Sequence, residues 1–161
     1  MCLVHNVLIR HLNCIYLQAP NVKLDKDIAD FATFIHAWCV ILEGHHHTEE
    51  TLFFPWLEDY IGIKDHMGKN IEQHHAFHPG LKELDDYATG LTAGKETYDG
   101  ANVRKIIDNF GPILAQHLKE EVESLEALEE FGDKIDWVTW GKRVSDHAVK
   151  HGDTVSLHCT D

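Results

Sequence analysis

Three pairs of side chains able to bind metal recur in this chain at a spacing of four: His45 with Glu49, His74 with His78, and His117 with Glu121. A four-residue step is little more than one helical turn, so each pair projects from one face of a helix. An inward carboxylate or imidazolium without a partner costs several kcal/mol, and a cation removes that cost. The first segment adds His5 or His11. His5 is in register with Leu8, Leu12 and Ile15, and His11 with Val4, Leu8 and Ile15, so spacing leaves both open. With His5 the set holds five imidazoles and two carboxylates, too many for one tetrahedral ion. Two ions accommodate them. If both carboxylates and an oxo or hydroxo group bridge, three imidazoles complete six-coordination at one metal and two leave the other with an open position. A thiolate-free set with a vacancy suits non-haem iron, and O2 is the ligand expected at the vacancy.

Positioning these residues requires helices that point one face inward. Four blocks, about residues 2 to 18, 25 to 60, 67 to 88 and 100 to 131, carry apolar residues at helical spacing, and strand patterns are nearly absent. Asp25 reads as an N-cap for the second block. Its stripe runs Ile28, Phe31, Ile35, Trp38 and Leu42, continues through His45 and Glu49, and resumes at Leu52 and Trp56. The third block carries Met67, Ile71, His74, His78 and Leu81. The fourth carries Val103, Ile107, Phe110, Leu114, His117, Glu121, Leu125 and Leu128. One inward histidine is more often a hydrogen-bonded core residue, but seven polar residues in register on four helices favour metal. His46, His47 and His75 lie off the stripes and are expected to face solvent or to stand behind the ligands, and Glu50 and Glu120 read as solvated charges. The expected fold is all-α, an up-and-down four-helix bundle over residues 1–131 with a C-terminal extension over 132–161. In that extension Trp137, Trp140, Val144 and Ala148 are spaced for a small amphipathic helix.

The chain has 161 residues, with 14 Lys and Arg against 27 Asp and Glu, for a formal charge of −13. That length suits one domain with one core. So negative a molecule is repelled by phosphate backbones and anionic lipid, so neither nucleic acid nor a membrane is an expected partner. No apolar run reaches the length of a membrane span, and the opening MCLVHNVLIRHLNC is too interrupted to be expected as a secretory leader. Four cysteines without CxxC spacing favour reduced thiols and a cytoplasmic protein. No Ser-His-Asp grouping, phosphate-binding glycine loop or dinucleotide fingerprint is present. The ExxH pattern of carboxylate-rich di-iron bundles is missing as well.

Four segments in order, His5-Asn-Val-Leu-Ile-Arg10, the string from His45 to Pro55, Glu72 to His78, and His117 to Glu121, resemble the hemerythrin family in its HHE cation-binding branch. The resemblance covers about residues 1 to 131. It implies a four-helix bundle with a di-iron centre, and it selects His5 over His11 and His45 with Glu49 over His46 with Glu50. The implied metal ligands are His5, His45, Glu49, His74, His78, His117 and Glu121. The implied function is an O2- or iron-binding or sensing protein, with an O2-dependent di-iron oxidoreductase acting on a small organic substrate as the alternative. The four-residue step from His117 to Glu121 is similar to sensor and enzyme-like relatives, whereas marine oxygen carriers space these residues by five. Pro79 directly follows His78, which biases residue 78 away from helical angles.

Overall fold

The apolar stripes translate into helices whose ends are set by local chemistry. The computed structural model describes residues 1–132, 136, 138–143 and 146. Among these there is no strand. The elements are α1 (Cys2–Gln18), a 3-10 turn (Ala19–Asn21), α2 (Asp25–Thr48), a π turn (Glu49–Phe53), α3 (Phe54–Ile61), α4 (Gly68–Thr92), α5 (Gly100–Glu126) and a 3-10 turn (Glu129–Phe131). Asp25 is the first helical residue of α2 and makes no side-chain cap. Leu24 holds the N-cap position, and Asp25 and Asp27 place negative charge in the first turn, where the helix dipole favours it. Asp99 caps α5 by accepting a hydrogen bond from the Ala101 amide at 2.8 Å. Gly62, at φ 75°, ends α3 in the left-handed conformation that costs glycine little.

The second and third helices form one rod, widened where they meet. Pro55 has no N–H and would crowd the carbonyl of Thr51 in a regular α-helix. Over Glu49–Phe53 the backbone opens instead, and the Phe54 amide reaches back five residues to the Glu49 carbonyl. α4 runs through Pro79 without ending, so the bias on His78 does not break the helix.

Short connections make consecutive rods neighbours. α1 contacts α2, α2 contacts α4, α4 contacts α5, and α5 returns to α1, closing the all-α bundle around its core. The Trp38 indole N–H donates to the Leu8 carbonyl at 3.1 Å, tying α2 to α1. The core has two apolar parts. The larger contains Leu8, Ile35, Leu42, Phe77, Phe110 and Leu118, and the smaller contains Phe53, Phe54, Leu57, Met67 and Leu128. The buried histidines and acids lie near the junction of the two: His46 and Glu49 between Leu42 and Phe53, His74 between Met67 and Phe77, Glu121 between Leu118 and Leu128, with His117 beside Leu118 and His5 before Leu8. Of the expected C-terminal helix, Trp137, Val144 and Ala148 lie outside the described residues. Trp140 packs on Phe53 with ring centroids 4.3 Å apart and on Trp56 at 5.8 Å. No helix among the described residues is long and apolar enough to cross a membrane.

Two helical glycines differ in what surrounds them. A Cβ on Gly80 would lie 2.6 Å from Cβ of Phe110, so α4 and α5 approach closely there, whereas a Cβ on Gly44 would meet nothing within 4 Å. Gly80→Val should therefore destabilise the protein by about 1–3 kcal/mol through overpacking. Gly44→Ala should stabilise it by about 0.5–1 kcal/mol by restricting the unfolded chain. Urea unfolding of both variants checks the pair, and equal effects would contradict the close approach.

Candidate metal centre

The polar layer gathers donor atoms from all four rods. His46, Glu49, His74 and His117 form one group in which one potential ligand atom from each residue lies within 4.8 Å of all the others. His5, His45, Glu49 and Glu121 form a second. Glu49 belongs to both. With metal–ligand bonds of about 2.1 Å, donors sharing an ion lie up to about 4.2 Å apart, which is close to the observed span. Both groups are deep: Glu121 and His117 are fully buried, Glu49, His5, His46 and His74 nearly so, and His45 half-buried.

Second contacts orient the rings. Nδ1–H of His5 donates to the Leu118 carbonyl at 3.0 Å, that of His74 to Oε1 of Glu50 at 2.7 Å, and that of His117 to Oε1 of Gln73 at 3.3 Å. Each partner is an acceptor, so the proton is on Nδ1 and the Nε2 lone pair is left for the interior. Gln73 is itself aligned, since its amide N–H donates to Glu120 at 2.6 Å, and Glu120 is held by Lys69 at 2.8 Å.

The inward atoms have no protein partners that satisfy them. Nε2 of His5, His45 and His46 and both oxygens of Glu49 and Glu121 are buried without a hydrogen bond. Nε2 of His5 is 2.9 Å from Glu121, and Nε2 of His45 is 3.0 Å from Glu49, close but outside hydrogen-bond geometry. Nε2 of His74 and Nε2 of His117 face each other at 3.1 Å, although both rings have committed their protons to Nδ1. Two lone pairs at that distance repel unless a cation lies beside them. The donor set fits a metal pair on these grounds, with nitrogen and oxygen ligands and no cysteine in either group.

Burial pushes the imidazoles of His45, His46, His74 and His117 below their ordinary range, His117 to about 3, with His74 adding to the shift on His46 and His117. They are neutral, as ligands must be. Glu49 is raised well above the usual carboxylate range by burial and by the charge of Glu121.

Of the seven residues expected as ligands, the structure brings together His5, His45, Glu49, His74, His117 and Glu121, and it does not bring in His78. The His78 side chain is 52% exposed, with Nε2 3.5 Å from Glu43. The inward place one turn beyond His74 is filled by Phe77, the next residue of the buried stripe of α4. His46, expected to face solvent or to stand behind the ligands, is buried and offers a donor atom to the first group. His11 is exposed and contacts the Val7 carbonyl of its own helix. Glu50 and Glu120 are not simple solvated charges, because they orient His74 and, through Gln73, His117. His46 lies three residues before Glu49 and His45 four, and both offsets share the face of Glu49, a signal present in the sequence.

On one side of the layer a cleft of about 580 Å³ opens between α2 and α4, reaching His46 and His74 and walled by Val40, Phe77 and Leu81.

The family model described as the Hemerythrin HHE cation binding domain matches residues 3–128, a stretch containing every donor of both groups. The chain is 37% identical over 142 residues to the dimeric xanthone biosynthesis cluster protein R11 of Cryptosporiopsis sp. (strain 8999). The match covers 88% of this chain and 53% of that protein, so the chain spans about half the length of this curated relative. No solved structure matches the chain.

The depressed imidazoles set the acid response of the metal-free protein. The unfolded chain takes up protons at histidine near pH 6.5 while folded His117 does so only near 3, so the unfolded state binds more protons in between. Glu49, raised by folding, works in the opposite direction but is one group against four. Stability of the chelator-treated protein should therefore fall as pH drops from about 6.5 towards about 4. Urea unfolding across that range checks this, and a flat or rising profile would contradict the buried neutral imidazoles.

Proposed function

The chain belongs to the hemerythrin HHE cation-binding domain family, and from that premise we propose that it holds two iron ions, oxo- or hydroxo-bridged, and binds O2 there as an O2- or iron-binding or sensing protein. The observation that carries this reading is the sharing of Glu49 between two donor groups that together draw on all four rods. Glu49 would bridge the ions, and imidazoles with Glu121 would complete their surroundings. When bound and reduced, such a pair supplies two electrons to O2. The chain's own part is to hold neutral Nε2 lone pairs inward through Leu118, Glu50 and Gln73, and to exclude water with Phe53, Phe54 and Phe77.

The cleft beside His46 and His74 supports a second reading, an O2-dependent oxidoreductase acting on a small aromatic substrate. A volume of about 580 Å³ is within the range of small-molecule sites, and the relative's name ties that protein to the biosynthesis of an aromatic product.

Anaerobic loading with ferrous iron should give two ions per chain, and air should then produce a visible absorption band. Reversal of the band on deoxygenation supports binding, and irreversible decay supports redox turnover. Two zinc ions and no response to O2 would overturn both readings. Glu49→Ala should lose both ions and lower the midpoint of thermal unfolding, whereas His11→Ala should retain both, as metal analysis and melting curves will report. Under the second reading, Gly44→Phe, at the open position lining the cleft, should retain iron and the absorption band yet lose oxidation of a hydroxyxanthone.

A further inference from the structure

We infer that His46, and not His78, supplies the fifth imidazole of the centre, at variance with the ligand set that the family resemblance implies. The inference rests on the two-ion reading above. His46 is 5% exposed, and its Nε2 is buried with no hydrogen-bond partner. Its ring lies 4.2 Å from that of His74, 5.1 Å from His117 and 5.2 Å from His45, centroid to centroid. Its donor atom shares a group with Glu49, His74 and His117, and His78 joins neither group.

The exchange follows from how the two helices face the layer. On α4 the buried positions are Asn70, His74, Phe77, Leu81, Leu84, Tyr87 and Ala88, a stripe that passes through 77 and leaves 78 on the flank. The Phe77 ring lies 4.9 Å from His46 and 5.6 Å from His117, so His78 could enter only by displacing it. On α2, residues three and four before Glu49 both border its side chain. His45 goes to the group containing His5 and Glu121, and His46 to the group containing His74 and His117. One helix thus serves both ions, with Glu49 between them. Three of the seven donors then come from α2 and the π turn that continues it and one from α4, and His78 is left on the rim of the cleft with Glu43.

Iron per folded chain after anaerobic ferrous loading tests this, with circular dichroism checking the fold. Wild-type protein should hold two ions, His78→Ala should hold two, and His46→Gln, chosen to preserve size, should lose one. Loss at His78→Ala with retention at His46→Gln overturns the inference, as does loss in both or in neither. If the wild type itself holds fewer than two ions, the two-ion reading fails first, and the stoichiometry separates the two failures. Should His46→Gln not fold, carbethoxylation of loaded wild-type protein decides: modification of His78 without release of iron supports the assignment, and protection of His78 overturns it.

Discussion

The constraint on which the fold turns is the burial of two carboxylates, Glu49 and Glu121, among rings that present lone pairs. Water would satisfy these groups at the surface, but inside an apolar bundle each unsatisfied atom opposes folding. A protein with only structural demands on this layer would fill it with leucine. Here the layer lies between two apolar slabs, and every buried imidazole and carboxylate among the described residues falls in it, where the four rods meet. Burial also keeps the imidazoles neutral, since desolvation works against the charged form. The arrangement that is poor for the empty bundle is good for ligation.

Around that layer the chain invests in orientation. Leu118 offers a backbone carbonyl, Glu50 a carboxylate, and Gln73 an amide oxygen aligned by Glu120 and Lys69. These three acceptors differ in charge, so the rings they hold differ in basicity: His74, facing a carboxylate, is the stronger electron donor, and His117, facing an amide, the weaker.

Much of this was legible because one periodicity is simple: the apolar 3-4 repeat gave the helices, and the same repeat carried His45, Glu49, His74, His117 and Glu121 into the interior, while His5 was separated from His11 only by the family resemblance. Legibility ended where one turn offers more than one inward place. A stripe drawn as a single line through α2 admits His45 and rejects His46, although the face opposite Glu49 is wide enough for both. On α4 the rule that residues four apart share a side is true, but the side is broader than the buried strip, and Phe77 occupies the strip. The roles of Glu50, Gln73 and Glu120 were hidden for another reason. They depend on which polar side chain lies across a helix interface, 24 to 47 residues away in sequence, and local spacing says nothing about that.

The widened turn at Glu49–Phe53 also sets the phase of everything after it. By spending an extra residue on one revolution, it lets the histidine face upstream and the apolar face of Phe53, Phe54 and Leu57 downstream both look inward from the same rod. A regular α-helix over the same residues would rotate the downstream half by about 100° and carry Leu57 out of the smaller apolar slab. The distortion works as a mechanical coupling, through which the register of the metal-facing half and the closure of the bundle's end are a single adjustment.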